Sequence, residues 1–429
     1  MKPPATGAAI DVHDLQIGMF IHLDLGWMSH PFPLSSFKLT TGEQIATIRS
    51  LGLTQVRWSP ERSERPPAGG DTAVVEALGA AGESATAESP EAAERRERRE
   101  AQAAQRAALQ LCERQYAEAT RALRQTSDMV TAQPQAARGQ AEALSQSLVS
   151  KMLGQRELCI RLLSEGAGDR ASSHGLNVAI IAMLMGKTFG LADSEMLDLG
   201  VGAMLHDIGK IELPDRVRHV DDAFSSSELR LYQEHVAHGV AHAQRMGLSA
   251  GATLVIAQHH EQADGSGFPK RLNLDRMTAS ARIVALVNRY DNLCNPLQPS
   301  RAMTPHEALS LMFAQGKNKF DATMLNAFIR MMGVYPPGSV VQLTDERYAL
   351  VSAVNSSRPL KPRVLVHDVH VPRDEALLLD LEEATDIGIR RSLKPQQLPA
   401  AAAEYLAPRQ RIAYFFEPAP HPLPEETKW

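Results

Sequence analysis

Between about residues 150 and 335, apolar side chains recur at the three- and four-residue spacing of amphipathic helices. One predicted buried face consists of Val178, Ile181, Ala182 and Met185. A second consists of Leu197, Val201, Met204 and Leu205. Two more apolar helices are predicted over Ser249–Gln258 and Ala281–Tyr290. We therefore expect residues 151–335 to form an all-helical domain, and the chain as a whole to be mainly α.

The segments on either side of this domain have another pattern. Residues 1–60 are predicted to form a small α/β module, with strands at Met19–Leu23 and Thr54–Trp58 and a helix at Ile45–Leu51. Its His, Asp and Trp residues lack the spacing of metal ligands, so we interpret it as a regulatory module that senses or docks a partner. Residues 336–429 are predicted to be a β-rich extension whose tail, past about residue 400, is loose.

Residues 61–150 are predicted to be a linker that is first flexible and then helical. Residues 60–90 are rich in Ala, Gly, Pro, Glu and Ser. Oppositely charged pairs at i,i+4 in EAAERRERRE then indicate a solvated helix. A short heptad stripe follows, composed of Leu109, Cys112, Tyr116, Ala119 and Leu123. The stripe fits a homodimer helix and a helix that packs on its own chain equally well.

Composition narrows the classes of function. At 429 residues the chain is expected to hold two or three domains. A formal net charge of −5 gives no case for DNA binding. Three widely spaced cysteines argue against a disulfide framework and indicate a reducing cytoplasm. No run reaches the roughly 18 apolar residues needed to span a membrane.

Two motifs about fifty residues apart indicate a metal site. An apolar helix ends in HDIGK, which contains His206, Asp207 and Lys210, and HHEQADGSGFP begins at His259 and His260. A buried His-Asp pair is costly without a partner, so a role in packing alone is the less favoured interpretation. Imidazole and carboxylate ligands suit Fe, Mn, Zn or Ni. The ammonium of Lys210 cannot bind a cation but can hold a phosphate oxygen beside one; alternatively it caps its helix.

Three further residues are candidate ligands because of their helical context and their order around the two motifs: His174 in SSHGLNVA, His235 in HVAHG and Asp291 in RYDNL. Taken alone, each is more often structural. Two ions that share a carboxylate are the usual arrangement for phosphodiester hydrolysis.

These residues resemble the HD-GYP family, a subgroup of the HD metal-dependent phosphohydrolases, over residues 164–333. The family's GYP appears as Gly267, Phe268 and Pro269. The segment LQIGMFIHLDLGWMSHPF also resembles an uncharacterised domain often found ahead of HD-GYP domains.

The resemblance implies signal transduction through hydrolysis of cyclic di-GMP to pGpG, and sometimes onward to GMP. It implies divalent transition-metal ions, most often iron or manganese, bridged by Asp207, with Lys210 on the phosphate. The implied ligands are His174, His206, Asp207, His235, His259, His260 and Asp291. The implied substrate contacts are Lys210, Gly267, Phe268, Pro269 and Arg301.

The sequence departs from the family pattern at several positions. Arg170 stands where members with three ions carry Glu, so we expect two ions. Leu297 falls where the family has a substrate-binding Arg, with Arg301 offset by several positions, and Asn288 replaces an Asp. Two alternatives to a cyclic di-GMP phosphodiesterase therefore stay open. One is hydrolysis of another nucleotide, and the other is a non-catalytic receptor or a module that docks diguanylate cyclases.

Overall fold

A computed structural model describes residues 8–23, 25, 36–63, 90–164, 169–221, 223–316 and 318–419. The chain divides into two compact units, residues 1–100 and 101–429. Among the residues that the structure describes, no helix combines the length and the apolar character needed to cross a bilayer.

The described residues of the first unit form a four-stranded antiparallel sheet, one short helix and the start of a long helix. The strands are β1 (Ala8–Asp11), β2 (Phe20–His22), β3 (Ser36–Lys38) and β4 (Gln55–Trp58), in the order β1-β4-β2-β3. Helix α1 (Gly42–Ser50) begins at a capping box, in which Thr41 and Gln44 satisfy each other's main-chain N–H groups. The predicted α/β character is confirmed, and β1 and β3 were not predicted.

Helix α2 (Pro90–Met129) contains the heptad stripe. The predicted pair Glu91–Arg95 forms at 3.5 Å, with both side chains well exposed. Further along, Cys112, Tyr116, Ala119 and Leu123 are buried, and the ring of Tyr116 packs edge-on against Phe415 at 6.4 Å. The stripe therefore packs on its own chain, and a homodimer stays a prediction.

The mainly helical character predicted for this part of the chain is confirmed by nine helices among the described residues. These are α3 (Pro134–Leu153), α4 (Arg170–Thr188), α5 (Asp193–Leu205), α6 (Ser226–Gln233), α7 (His235–Met246), α8 (Ala250–Gln258), α9 (Ala279–Cys294), α10 (Pro305–Gln315) and α11 (Ala322–Met332). Their shared faces are almost wholly apolar; in α4, for example, every residue from Gly175 to Gly186 is buried.

A seven-stranded antiparallel sheet packs with these helices in the second unit. Its strands are β5 (Leu158–Leu162), β6 (Val340–Leu343), β7 (Tyr348–Asn355), β8 (Arg363–Val366), β9 (Leu378–Asp380), β10 (Ile389–Leu393) and β11 (Tyr414–Pro418). The main path runs β10-β6-β7-β5-β11, and β8 joins β7 to β9. Helix α12 (Ala400–Leu406) precedes β11.

Two expectations are wrong here. Residues 158–162 form a strand inside the segment expected to be helical, because a short, wholly buried run such as LCIRL has no periodicity that separates strand from helix. The tail is not loose up to residue 419, because β11 pairs with β5 and four of its five residues are buried. Residues 420–429 lie outside the described residues, and the predicted boundaries at 60, 150 and 335 stay predictions.

Candidate metal centre

The HDIGK motif lies where α5 ends against α7. His206 is the C-cap of α5 and is fully buried. Gly209 is required two residues after Asp207, because a Cβ there would lie 2.0 Å from the carbonyl oxygen of His235. This close approach brings Asp207 against the first residue of α7.

Two imidazoles face one oxygen of Asp207. Oδ2 of Asp207 lies 3.5 Å from Nε2 of His206 and 3.7 Å from Nε2 of His174. The two Nε2 atoms are 3.2 Å apart. We name these three residues the first ligand group.

Three imidazoles face the other oxygen. Oδ1 of Asp207 lies 3.6 Å from Nε2 of both His235 and His259, and those two nitrogens are 3.3 Å apart. His260 completes this second ligand group, whose ligand atoms all lie within 4.8 Å of one another. Asp207 therefore belongs to both groups, one oxygen to each.

In four of the five histidines of these groups, the other ring nitrogen fixes the tautomer. Nδ1 of His206 lies 2.7 Å from the carbonyl oxygen of Ala203. Nδ1 of His235 lies 2.6 Å from the carbonyl oxygen of Tyr232, and Nδ1 of His259 lies 2.8 Å from that of Ile256. A carbonyl oxygen only accepts, so Nδ1 carries the proton and Nε2 carries a lone pair. The carboxylate of Asp291, 2.6 Å from Nδ1, does the same for His174.

This arrangement fits cations. In each group, two imidazole lone pairs point at one another and at a carboxylate oxygen, and Oδ1 of Asp207 is buried with no hydrogen-bond partner. Burial lowers the pKa of His206 well below its usual value and that of His235 to about 4, so protons do not relieve the repulsion. A cation bound in each group would relieve this repulsion, because the imidazole nitrogens and the carboxylate oxygen would then act as its ligands.

Lys210 balances the shared carboxylate. Its ammonium donates to Oδ2 of Asp207 at 2.6 Å and lies 5.4 Å from the ring centroid of Tyr232. Burial by itself would raise the pKa of Asp207, but Lys210 holds it well below its usual range. Burial would likewise lower the pKa of Lys210, yet Asp207 raises it. Both groups are therefore charged at neutral pH.

The GFP segment forms the wall beside His260. The ring of Phe268 stacks on His260 at 4.4 Å, and its main-chain N–H donates to the carbonyl oxygen of His260. A Cβ at Gly267 would lie 2.5 Å from three backbone atoms, so only glycine fits. Buried Glu261 holds the turn by accepting from two main-chain N–H groups. Pro269 is exposed.

One predicted ligand, Asp291, and one predicted substrate contact, Arg301, are not members of the two ligand groups. Asp291 belongs to neither group, because its carboxylate accepts from His174 on one oxygen and from side-chain amides on the other. Arg301 is exposed on a short 3₁₀ helix, Pro299–Arg301. The individual roles of all these residues stay predictions.

Sequence reasoning missed residues that support the site. Arg170 donates to the carbonyl oxygens of Asn295 and Pro296, at 2.9 and 3.0 Å. Asn177 donates to Oδ1 of Asp291 at 3.0 Å. The sequence signal for Asn177 was its position three residues after His174, which puts both residues on one helical face.

Comparison with protein-family models identifies two parts of the chain. Residues 8–141 match a domain of unknown function (DUF3391), and residues 124–324 match the HD domain. The chain is therefore similar to HD-domain proteins over residues 124–324. The predicted resemblance to HD-GYP proteins is thereby confirmed, as is that of the N-terminal segment to an uncharacterised domain.

Curated relatives of this HD-domain chain are phosphodiesterases by name. The cyclic di-GMP phosphodiesterase PA4108 of Pseudomonas aeruginosa is 25% identical over 371 residues, which are 83% of this chain and 84% of that protein. The response regulator RpfG of Xanthomonas campestris, a cyclic di-GMP phosphodiesterase, is 31% identical over 35% of this chain and 40% of its own length. The 3'3'-cGAMP-specific phosphodiesterase 2 of Vibrio cholerae is 28% identical, over 38% of this chain and 32% of its own.

Proposed function

We propose that this protein is a metal-dependent phosphodiesterase that hydrolyses cyclic di-GMP to pGpG in bacterial second-messenger signalling. The observation that carries the proposal is the pair of ligand groups that share Asp207, each with imidazole lone pairs that face one another. The names of PA4108 and RpfG support the substrate.

The cofactor we propose is two divalent transition-metal ions, iron or manganese. Each group offers imidazole nitrogen and one carboxylate oxygen, a donor set that suits these metals. When bound, such ions would activate water and neutralise charge that develops on the phosphorus. Arg170 places a guanidinium at the start of α4, where a third cation would be repelled.

The residues have separate tasks in the hydrolysis. Water adds its hydroxyl to phosphorus, the bond from phosphorus to the 3′ oxygen breaks, and the proton goes to that departing oxygen. Lys210 would hold a non-bridging phosphate oxygen, since its ammonium already lies beside Asp207. Phe268 would offer an apolar wall, with Gly267 and Pro269 shaping its turn.

The proposal predicts about two ions per chain and chelator-sensitive turnover. Anaerobically purified protein would be reconstituted with Mn²⁺ or Fe²⁺, analysed for metal, and assayed for pGpG by chromatography. Fewer than about half an ion per chain, or turnover that survives a chelator, would contradict the metal mechanism. Tight binding of cyclic di-GMP without turnover would favour the receptor alternative.

The substitution at the predicted substrate-binding loop is a reason to test a second nucleotide. Leu297, where the family carries Arg, is 48% exposed, and the relative from Vibrio cholerae acts on 3'3'-cGAMP by name. A panel of cyclic di-GMP, 3'3'-cGAMP and linear dinucleotides, run on the same reconstituted protein, separates the two activities. A kcat/KM for 3'3'-cGAMP above that for cyclic di-GMP would reassign the substrate.

Leu297→Arg is expected to tighten cyclic di-GMP binding by about tenfold, because a charge-assisted contact to phosphate contributes roughly 1.5–3 kcal/mol before the entropy of ordering the side chain. Isothermal titration in a non-hydrolysing state, with the metals removed, measures the affinity. Leu297→Gln, which is long but uncharged, is the matched control. An unchanged Kd would mean that this loop does not hold the nucleotide as it does in the family.

The remaining proposals concern the partners of the protein and its location in the cell. We propose that the N-terminal module docks or senses another signalling protein, with diguanylate cyclases as candidates, and that the protein acts in the cytoplasm.

A further inference from the structure

A buried amide lies directly behind the first ligand group. Asn177, one helical turn after His174 in α4, is 3% exposed. Its Nδ2 donates to Oδ1 of Asp291 at 3.0 Å and to the carbonyl oxygen of Ile412 at 2.9 Å. Since Oδ2 of Asp291 accepts from His174 at 2.6 Å, Asn177 is one residue removed from a ligand.

A second amide repeats the same pair of contacts. Nδ2 of Asn295, just past the end of α9, donates to Oδ1 of Asp291 and to the carbonyl oxygen of Ile412, both at 2.9 Å. Its Oδ1 accepts from the main-chain N–H of Ile412 at 2.8 Å. The chain at Ile412, which leads into β11, is therefore tied to the carboxylate that orients His174.

The carbonyl of Asn177 is held from two other elements. Its Oδ1 accepts from the hydroxyl of Tyr116, on α2, at 3.1 Å and from the main-chain N–H of Tyr414, on β11, at 3.3 Å. Tyr116 is fully buried and also contacts the carbonyl oxygen of Ser173 at 3.3 Å. All the hydrogen-bonding groups of Asn177 thus have partners, and a rotation of the amide would break contacts on both sides.

We propose that Asn177 is a positioning residue for the first ligand group. It fixes the carboxylate of Asp291, which fixes the ring and the tautomer of His174, while helix α2 and the segment that leads into β11 hold Asn177 itself. The inference rests on the proposed function, because it takes the two ligand groups to be metal sites. It assigns to the C-terminal extension a direct part in building the centre.

The geometry makes the expected effect selective. His174 belongs only to the first group, whereas His235, His259 and His260 belong only to the second. Loss of a hydrogen-bonded partner behind a ligand typically weakens metal binding about 10- to 100-fold. Asn177→Leu keeps the size of the side chain but removes its four contacts, so it should weaken one ion and leave the other unchanged.

The test measures Mn²⁺ binding to the full chain by anaerobic titration against a competing chelator. We expect Asn177→Leu to raise the Kd of one of the two ions about 10- to 100-fold. Thr126→Val is the matched control, since it removes a buried hydroxyl on α2 whose partners, the carbonyl oxygen of Ala122 at 2.9 Å and Gln140 at 3.2 Å, are not site residues. It should lower the melting temperature without changing either Kd.

Tyr116→Phe keeps the test decisive if Asn177→Leu does not fold. It removes only the hydroxyl that donates to Oδ1 of Asn177, and it should weaken binding of the same ion about two- to tenfold. Two unchanged affinities in the folded variants would overturn the positioning role. Wild-type protein that binds no Mn²⁺ would instead overturn the proposed function, so the two failures are distinguishable.

Discussion

Asp207→Ala is expected to remove both ions and to lower turnover at least about a thousandfold. Each ligand group takes one of its oxygens, so a single substitution deletes a ligand from both. The remaining histidines of each group would share a cation with no carboxylate to offset its charge. The lost transition-state stabilisation is several kcal/mol, and about 1.4 kcal/mol corresponds to each factor of ten in rate.

Asp198→Ala is the matched control for this substitution. Asp198 lies on the same helix α5 and accepts from the hydroxyl of Ser249 at 2.5 Å, outside both ligand groups. It should retain about two ions and wild-type turnover. Elemental analysis and the pGpG assay on both variants decide the matter: full metal content in Asp207→Ala would mean that the His-Asp pair is structural.

Much of the catalytic domain could be predicted because its signals are local. An apolar helix that ends in His206-Asp207 and a second that ends in His259-His260 each place two polar side chains at a helix terminus. The helical period fixes which residues are buried, and the order of motifs along the chain indicates which termini meet. The convergence of five of the seven implied ligands on Asp207 follows the sequence prediction, although their roles stay to be tested.

The parts that could not be predicted depend on long-range contacts. β5 pairs with β11 across more than 250 residues of sequence, as Arg161 opposite Phe415 shows, and no local pattern records such a pairing. The position of Asp291 is similar. No local pattern shows that the packing of α4 against α9 brings its carboxylate to 2.6 Å from Nδ1 of His174.

The environment of Lys210 separates its two predicted roles. A helix-capping lysine donates to main-chain carbonyls, as Lys187 does toward Met152 at 2.8 Å. Lys210 instead donates to the carboxylate shared by the two ligand groups. The structure therefore favours a cation that acts at the metal centre over one that stabilises a helix end.

Lys210→Ala is accordingly expected to lower kcat about 10- to 100-fold while metal content stays the same. A charge-assisted contact to phosphate contributes roughly 1.5–3 kcal/mol, and removal of a positive charge beside two cations does not weaken their binding. Lys187→Ala is the matched control, with a lower melting temperature and unchanged specific activity. Kinetics, metal analysis and thermal unfolding on both variants give the answer. If Lys210→Ala loses only melting temperature, as the control should, then Lys210 caps its helix and the phosphate contact belongs to another residue.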